Sequence, residues 1–279
     1  MVLEILVNPT KVKGKPWEMF FIGVVYSLVG VMLGYWVFRS HVSLVMVAFT
    51  SIASIPFVHS AIKAGEERGQ GKKEGQEESL FQKYAGVLTM FTFLFLGFVA
   101  VFVLLFVTLP AATVTHIFST QINAIGEVRT SVAGNVTGNF MQHLSTFTHI
   151  LFNNIKVLFF TLLFSIVYGA GAIFILSWNA SVMGAAIGDA IREKVLHVGV
   201  LEAVSLSLAG YFVHGIPEIF AYFAGGLAGG VLSVALVQSG FQSIALQKAW
   251  KDCLNLTAFA ALTLFFAGLI EVYISPTLL

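Results

Sequence analysis

The chain has 279 residues, of which 57% are hydrophobic and 10% are charged, and its formal net charge is +1. Ordinary soluble domains carry about 25% charged residues, so this composition excludes a soluble protein and predicts a polytopic protein embedded in the lipid bilayer. A net charge so close to zero gives no basis for binding nucleic acid, and the single cysteine, Cys253, excludes an intramolecular disulfide framework.

Long apolar runs follow one another along the chain and predict an all-α fold, a polytopic helical membrane bundle of about six transmembrane helices. Each span requires about 20 consecutive apolar residues. All of them belong to a single membrane domain, residues 1–279. The expected spans are residues 17–38, 41–61, 84–108, 153–176, 217–237 and 254–274.

Two polar segments separate the early spans. Residues 62–83 contain five basic and five acidic side chains, and they predict a solvated cytoplasmic loop. Residues 109–152 are rich in hydroxyl and amide groups, and they predict an extracytoplasmic segment with amphipathic stretches. The excess of Lys and Arg before the first span and in the 62–83 loop predicts a multi-pass protein of the cell membrane with a cytoplasmic N-terminus.

Three further stretches do not match the length of a full span. Residues 178–188 extend the fourth apolar run, and residues 200–213 precede the fifth span but are too short to cross the bilayer. We expect these two to form half-inserted or re-entrant helices. Residues 238–253 alternate charged and apolar side chains, which predicts an amphipathic helix before the last span.

The apolar run of residues 211–230 contains a histidine, a proline and a glutamate close together, His214, Pro217 and Glu218. Ionisable groups in such a run are costly, so they predict a functional site. His214 and Glu218 would share a face of a continuous helix. Because proline cannot donate the internal hydrogen bond, we expect instead a helix break near Gly215, with Pro217 as the first residue of the second helix.

Other polar residues within apolar runs are candidates for the same site. Asn153 and Asn154 lie at the start of the fourth predicted span, and Glu271 lies near the end of the last one. Buried polar groups in lipid require partners. We therefore expect Asn153, Asn154 and Glu271 to complete a network with His214 and Glu218 that contacts a substrate or relays protons.

Small residues follow the predicted site. Gly225 and Gly229, and likewise Gly226 and Gly230, are four positions apart and so lie on one helix face. Glycine on such a face allows the backbones of two membrane helices to approach closely. The pattern predicts close packing within the bundle or across a homodimer.

Three blocks of the C-terminal half, residues 150–279, resemble the stage II sporulation protein M family of integral membrane proteins. They are HGIPEIFAYFAGG, NNIKVLFFTLLFSIVYGAGA and AGLIEVYISP. The resemblance implies an all-helical fold and important roles for His214, Gly215, Glu218, Asn154 and Glu271. In sporulating bacteria the namesake of the family works in a membrane complex with cell-wall hydrolases. Relatives also occur in organisms that do not sporulate, so the resemblance does not assign that task to this chain.

Three functions fit the sequence. The first is a membrane protein that scaffolds or assists an envelope complex, with envelope proteins or a second copy of itself as partners. The second is a secondary transporter or channel for a small solute or ion. The long apolar runs interrupted near residues 169–171 and at residues 215–230 resemble the broken helices of such transporters.

The third function is a membrane-embedded metal-binding protein or hydrolase. His214 and Glu218 are suitable ligands for a divalent metal such as zinc, but a catalytic zinc requires a third protein ligand. His149, Asp189 and His197 are candidates, as is Glu271, and none has a diagnostic spacing. Since no nucleophile motif or phosphate-binding loop is present, we expect that the protein is not an enzyme.

Overall fold

The computed structural model describes residues 16–70, 80–133, 140–168, 171–239 and 243–275. Within these ranges the chain forms nine α-helices and no strand, so the predicted all-helical fold is confirmed. Residues 1–15 and 71–79, which belong to the predicted cytoplasmic segments, lie outside the described residues. The helices are α1 Glu18–Val37, α2 Val42–Gln70, α3 Leu80–Thr108, α4 Ala111–Ile117, α5 Ser119–Ala133, α6 Phe140–Tyr168, α7 Ala172–Lys194, α8 Val200–Ser239 and α9 Ile244–Tyr273.

Seven of these helices, all except α4 and α5, are long and apolar enough to cross a membrane, whereas about six were expected. The predicted fourth span is divided, because α6 ends at Tyr168 and α7 begins at Ala172. The stretch expected to be half-inserted, residues 178–188, lies within α7, which is a full-length helix. Ser177 and Ser181 lower the hydropathy of α7, but both are buried inside the bundle and do not face lipid.

Helix α8 runs without a break for 40 residues, with Pro217 inside it. The re-entrant piece expected at residues 200–213 and the helix break expected near Gly215 are therefore absent. Pro217 removes one internal hydrogen bond, and membrane helices tolerate such a loss through local adjustment. At 1.5 Å per residue α8 is about 60 Å long, twice the hydrocarbon thickness of about 30 Å.

The last predicted span is also longer than expected, since α9 begins at Ile244 and includes most of the stretch predicted as a separate amphipathic helix. The hydroxyl group of Ser243 accepts a hydrogen bond of 3.1 Å from the backbone N–H of Leu246. Such an N-cap stabilises the first turn of a helix. The start of α9 is thus fixed by a local signal, and the helix then continues through the apolar run.

Close contacts show the relative directions of the helices. A Cβ atom on Gly184 would lie 2.5 Å from Cβ of Phe102, and one on Gly188 would lie 2.7 Å from Cβ of Phe106, so α3 and α7 run parallel. The Arg192 guanidinium donates to the carbonyl oxygen of Leu109, which joins the ends of the same two helices. Because α3 and α7 are the third and fifth membrane-length helices, their parallel direction is consistent with seven successive crossings of the membrane.

We call the side on which α2 ends and α3 begins the loop face, and the side on which α3 and α7 end the site face. On the loop face, the Lys83 ammonium and the Asp252 carboxylate form an ion pair with a distance of 2.9 Å. The hydroxyl of Tyr84 donates to the same carboxylate at 3.3 Å. These contacts join the loop-face ends of α3 and α9.

Candidate functional site

A buried amide connects α6 with α8. The Asn154 side chain, which is 6% exposed, donates a hydrogen bond of 2.6 Å to a carboxylate oxygen of Glu218. The hydroxyl of Tyr222 donates a hydrogen bond of 3.1 Å to the amide oxygen of Asn154. Because Tyr222 lies one turn after Glu218, both side chains meet the same part of α6. The two bonds fix the orientation of the amide and attach the Glu218 carboxyl to α6.

A second carboxyl group lies beside the first. The carboxyl group of Glu271, near the end of α9, lies close enough to that of Glu218 for the two groups to interact. A hydrogen bond between two carboxyl groups requires a proton on one of them, since an ionised carboxylate only accepts. Two neighbouring carboxylates would also repel each other strongly at low dielectric constant. A hydrogen bond within this pair therefore depends on a proton carried by one of the two groups.

The histidine of the site also links α8 to α9. Nδ1 of His214 lies 2.9 Å from the hydroxyl oxygen of Ser275, just beyond the end of α9. The same hydroxyl group donates to the carbonyl oxygen of Ile270 at 3.4 Å. Because α8 is continuous, His214 and Glu218 lie on one face of this helix. His214 contacts Ser275 and Glu218 contacts Glu271, and both partners lie near the end of α9.

A cavity of about 600 Å³ lies between α5, α6, α7 and α8, next to this network. Asn153 lines the cavity, whereas its neighbour Asn154 takes part in the buried network, because consecutive side chains of a helix point about 100° apart. The wall combines apolar and aromatic groups with six side chains that carry an amide, imidazole, carboxyl or ammonium group. These are Glu127, Asn153, Lys156, Asn179, His214 and Glu218.

Tight packing of α8 lies beyond the cavity toward the loop face. A Cβ atom on Gly226 would lie 2.7 Å from Cβ of Ala172, and one on Gly229 would lie 2.5 Å from the carbonyl oxygen of Leu162. Residues 221–235 of α8 are buried without exception. This buried stretch begins at Ala221, next to the cavity residue Tyr222. The cavity therefore ends where the close packing starts. The glycines predicted to pack, Gly225, Gly226, Gly229 and Gly230, all belong to it.

Gly215 lies on the cavity wall between His214 and Glu218. It is buried, and a Cβ atom there would lie 2.9 Å from the terminal methyl group of Met183 on α7. A larger residue at this position would have to displace the flexible end of the Met183 side chain. Pro217, expected at a helix break, lies within α8 next to Glu218.

The structure brings together three of the five residues proposed for the site, Asn154, Glu218 and Glu271; it bonds His214, one turn before Glu218, to Ser275, and it places Asn153 on the cavity wall. Sequence reasoning missed Tyr222 and Ser275. Tyr222 lies four residues after Glu218, a spacing that signals a shared helix face, and Ser275 lies four residues after Glu271. The other cavity residues come from α5, α6, α7 and α8, and no motif marks them.

The geometry does not provide the third ligand that a catalytic zinc requires. Among the residues that the structure describes, no group of three or more His, Cys, Asp and Glu side chains could hold a metal ion. His214 is bonded to Ser275, and Glu218 to Asn154 and Glu271. We therefore derive no metal chemistry from this site.

No curated protein and no solved structure shows a significant match to this chain. A family model does match, and it covers residues 23–276, which include all seven membrane-length helices apart from the first turns of α1. The matched region contains every residue of the network and the cavity described above. On this evidence, the chain belongs to the stage II sporulation protein M family of membrane proteins.

Proposed function

We propose that the protein is a secondary transporter that binds a small solute in the cavity between α5, α6, α7 and α8. The observation that carries this proposal is a cavity of about 600 Å³ with the Glu218 carboxyl on its wall and close helix packing beyond it. Small-molecule sites have volumes of about 300–1,000 Å³ and combine an apolar wall with a few polar groups. A protein that only scaffolds partners has no need of such a cavity.

The carboxyl pair gives the site a means of coupling solute movement to protons. Glu218 lies on the cavity wall with the Glu271 carboxyl behind it, and we propose that the two groups share a proton. Binding of a solute to the Glu218 carboxyl changes the hydrogen bonds that hold this proton. Ionisable residues inside membrane helices serve as proton relays in many transporters.

Alternating access requires that the cavity opens to one face at a time. The tight contact of α8 with α6 and α7 closes the loop-face side, so the proposal assigns this conformation to a state open toward the site face. Pro217 lies at the level of the cavity and weakens the helix there, because it cannot donate to the carbonyl of Val213. It provides a point at which α8 can bend when the cavity changes faces.

We also propose that the N-terminus is cytoplasmic and that the site face is extracytoplasmic. The segments that flank the loop face are residues 1–17, 62–83 and 240–252. Of the 15 Lys and Arg residues they hold ten, and the rest of the chain holds five. An excess of positive charge marks the cytoplasmic side.

The proposal is tested with the full chain in liposomes that contain a pH-sensitive dye, to which a panel of amines, amino acids, sugars, carboxylates and inorganic salts is added in turn. We expect at least one solute to cause a pH change with the wild type and none to do so with Glu218→Gln. Glu202→Gln is the matched control, because Glu202 is an exposed residue of the same helix. If no solute gives a signal and envelope proteins co-purify stably with the chain, the protein is a scaffold and the proposal fails.

A further inference from the structure

We infer that the transported solute is a small organic cation, an amine or a quaternary ammonium ion, an inference that rests on the proposed transport function. The cavity wall contains several aromatic side chains in addition to the Glu218 carboxyl. They are Phe160 from α6, Trp178 from α7, and Tyr211 and Tyr222 from α8. Rings from three helices thus surround one cavity that also presents an acidic group.

Aromatic rings attract cations because the face of the ring carries partial negative charge. Tryptophan gives the strongest interaction, followed by tyrosine and phenylalanine, and rings that surround a site recognise quaternary ammonium ions. The interaction is strongest where water is excluded. A cavity between membrane helices with four such residues provides aromatic groups of this kind.

The charges on the cavity wall favour the same class of solute. Glu127 and Glu218 are acidic, Glu271 lies directly behind Glu218, and Lys156 is the one Lys or Arg residue among the lining residues. The Lys156 ammonium lies 4.5 Å from the ring centroid of Phe152, a residue that is 61% exposed on the outside of α6. The carboxyl groups on or directly behind the wall, three in number, therefore exceed its one ammonium group, which disfavours an anionic solute.

The size of the cavity separates an organic cation from a metal ion. A volume of about 600 Å³ is in the range of cavities that hold small molecules. A bare divalent cation would need several carboxylate, carbonyl or imidazole ligands at short distance, and the described residues contain no such group of three or more ionisable ligands. An organic cation fills the space with its alkyl groups and needs only one carboxyl partner.

The test uses three compounds of nearly the same shape and different charge. These are choline, its neutral analogue 3,3-dimethylbutan-1-ol, and the anion 3,3-dimethylbutanoate. Binding to the full chain in lipid nanodiscs is measured by isothermal titration calorimetry. We expect choline to bind at least about tenfold more tightly than the neutral analogue, and the anion not to bind.

Substitutions of Trp178 and of Glu218 connect the binding to the cavity. Trp178→Leu should weaken choline binding by about tenfold and Trp178→Phe by less, since the second variant keeps an aromatic ring. Trp36→Leu is the matched control, because Trp36 is 77% exposed on α1 and is not a cavity residue. Equal loss in the control would overturn the assignment of the cavity. Glu218→Gln should also weaken binding. If Glu218→Gln does not fold, the Trp178 variants still test the inference.

The outcomes separate this inference from the proposed function. If the neutral or the anionic analogue binds as tightly as choline, or if choline does not bind while a sugar, a carboxylate or an inorganic salt of the liposome panel is transported and no amine is, the solute is not an organic cation and transport still stands. If no solute of the panel is transported, the proposed function fails and this inference fails with it.

Discussion

The substitution Asn154→Leu tests whether the buried network holds α6, α8 and α9 together. The Asn154 amide donates to Glu218 at 2.6 Å and accepts from Tyr222 at 3.1 Å. Leucine has a similar volume and can make neither bond, so two buried polar groups lose a partner. Each unsatisfied group costs about 1–3 kcal/mol, so we expect the free energy of unfolding to fall by about 3 kcal/mol.

The adjacent residue provides the control for this prediction. Asn153 is exposed on the cavity wall, so Asn153→Leu should change the free energy of unfolding by less than about 0.5 kcal/mol. The assay is reversible unfolding in mixed micelles titrated with dodecyl sulfate, followed by circular dichroism. Tyr222→Phe completes a double-mutant cycle with Asn154→Leu, and we expect the two effects to be less than additive because the residues share one hydrogen bond.

An equal effect of the two asparagine substitutions would refute this reasoning. It would show that the loss of stability comes from placing leucine at this level of α6 and not from the loss of the two hydrogen bonds. Strict additivity of Asn154→Leu and Tyr222→Phe would likewise contradict the network, since independent sites add.

Three other predictions concern packing, charge and movement. Gly229→Ala should destabilise the protein by about 2 kcal/mol, because its Cβ would lie 2.5 Å from the carbonyl oxygen of Leu162, whereas Gly86→Ala meets nothing within 4 Å and should be neutral or stabilising in the same unfolding assay. Asp252→Ala should cost about 3 kcal/mol because it leaves the largely buried Lys83 without its carboxylate partner, and Lys83→Met with Asp252→Ala should restore part of that loss. Pro217→Ala should keep α8 helical by circular dichroism and lower the transport rate in liposomes, because alanine restores the hydrogen bond that a bend would use; an unchanged rate would contradict the role of Pro217 as a bending point.

The composition of the network could be predicted from the sequence because the physical rule is strict. Ionisable and amide groups inside apolar runs need partners, so His214, Glu218, Asn154 and Glu271 were expected to lie close together. The close packing at the glycines of α8 could also be predicted, because their spacing on one helix face can be read directly from the sequence. These predictions depend on residue type and helical period alone.

The helix boundaries could not be predicted in the same way. Pro217 is a strong local signal for a break, but burial of the following stretch against α6 and α7 keeps α8 continuous. The apolar run that contains α6 and α7 was too long for one span and too short for two, so its second part was expected to be half-inserted, whereas α7 continues to Lys194 with Ser177 and Ser181 buried inside the bundle. Tertiary packing decided both cases, and hydropathy does not report on it.

The cavity depends still more on tertiary structure. Trp178 and Tyr211 lie 33 positions apart in the chain, and each is an ordinary residue of an apolar helix. Only the parallel arrangement of α6 and α8, with α7 beside them, brings their side chains to one space. A search for local motifs therefore finds the network and misses the cavity.

The most direct test of transport through the cavity is to obstruct it from one side. In a Cys253→Ala background, Asn153→Cys places a thiol on the cavity wall, and the protein is reconstituted in liposomes in a known orientation. A bulky membrane-impermeant maleimide is then added to one face, and solute flux is measured. We predict that the reagent abolishes flux when it is added to the site face, to which this conformation opens, and that it reacts more slowly from the loop face, to which the cavity opens only during transport. Undiminished flux after complete labelling of the cysteine would show that the solute does not pass through this cavity.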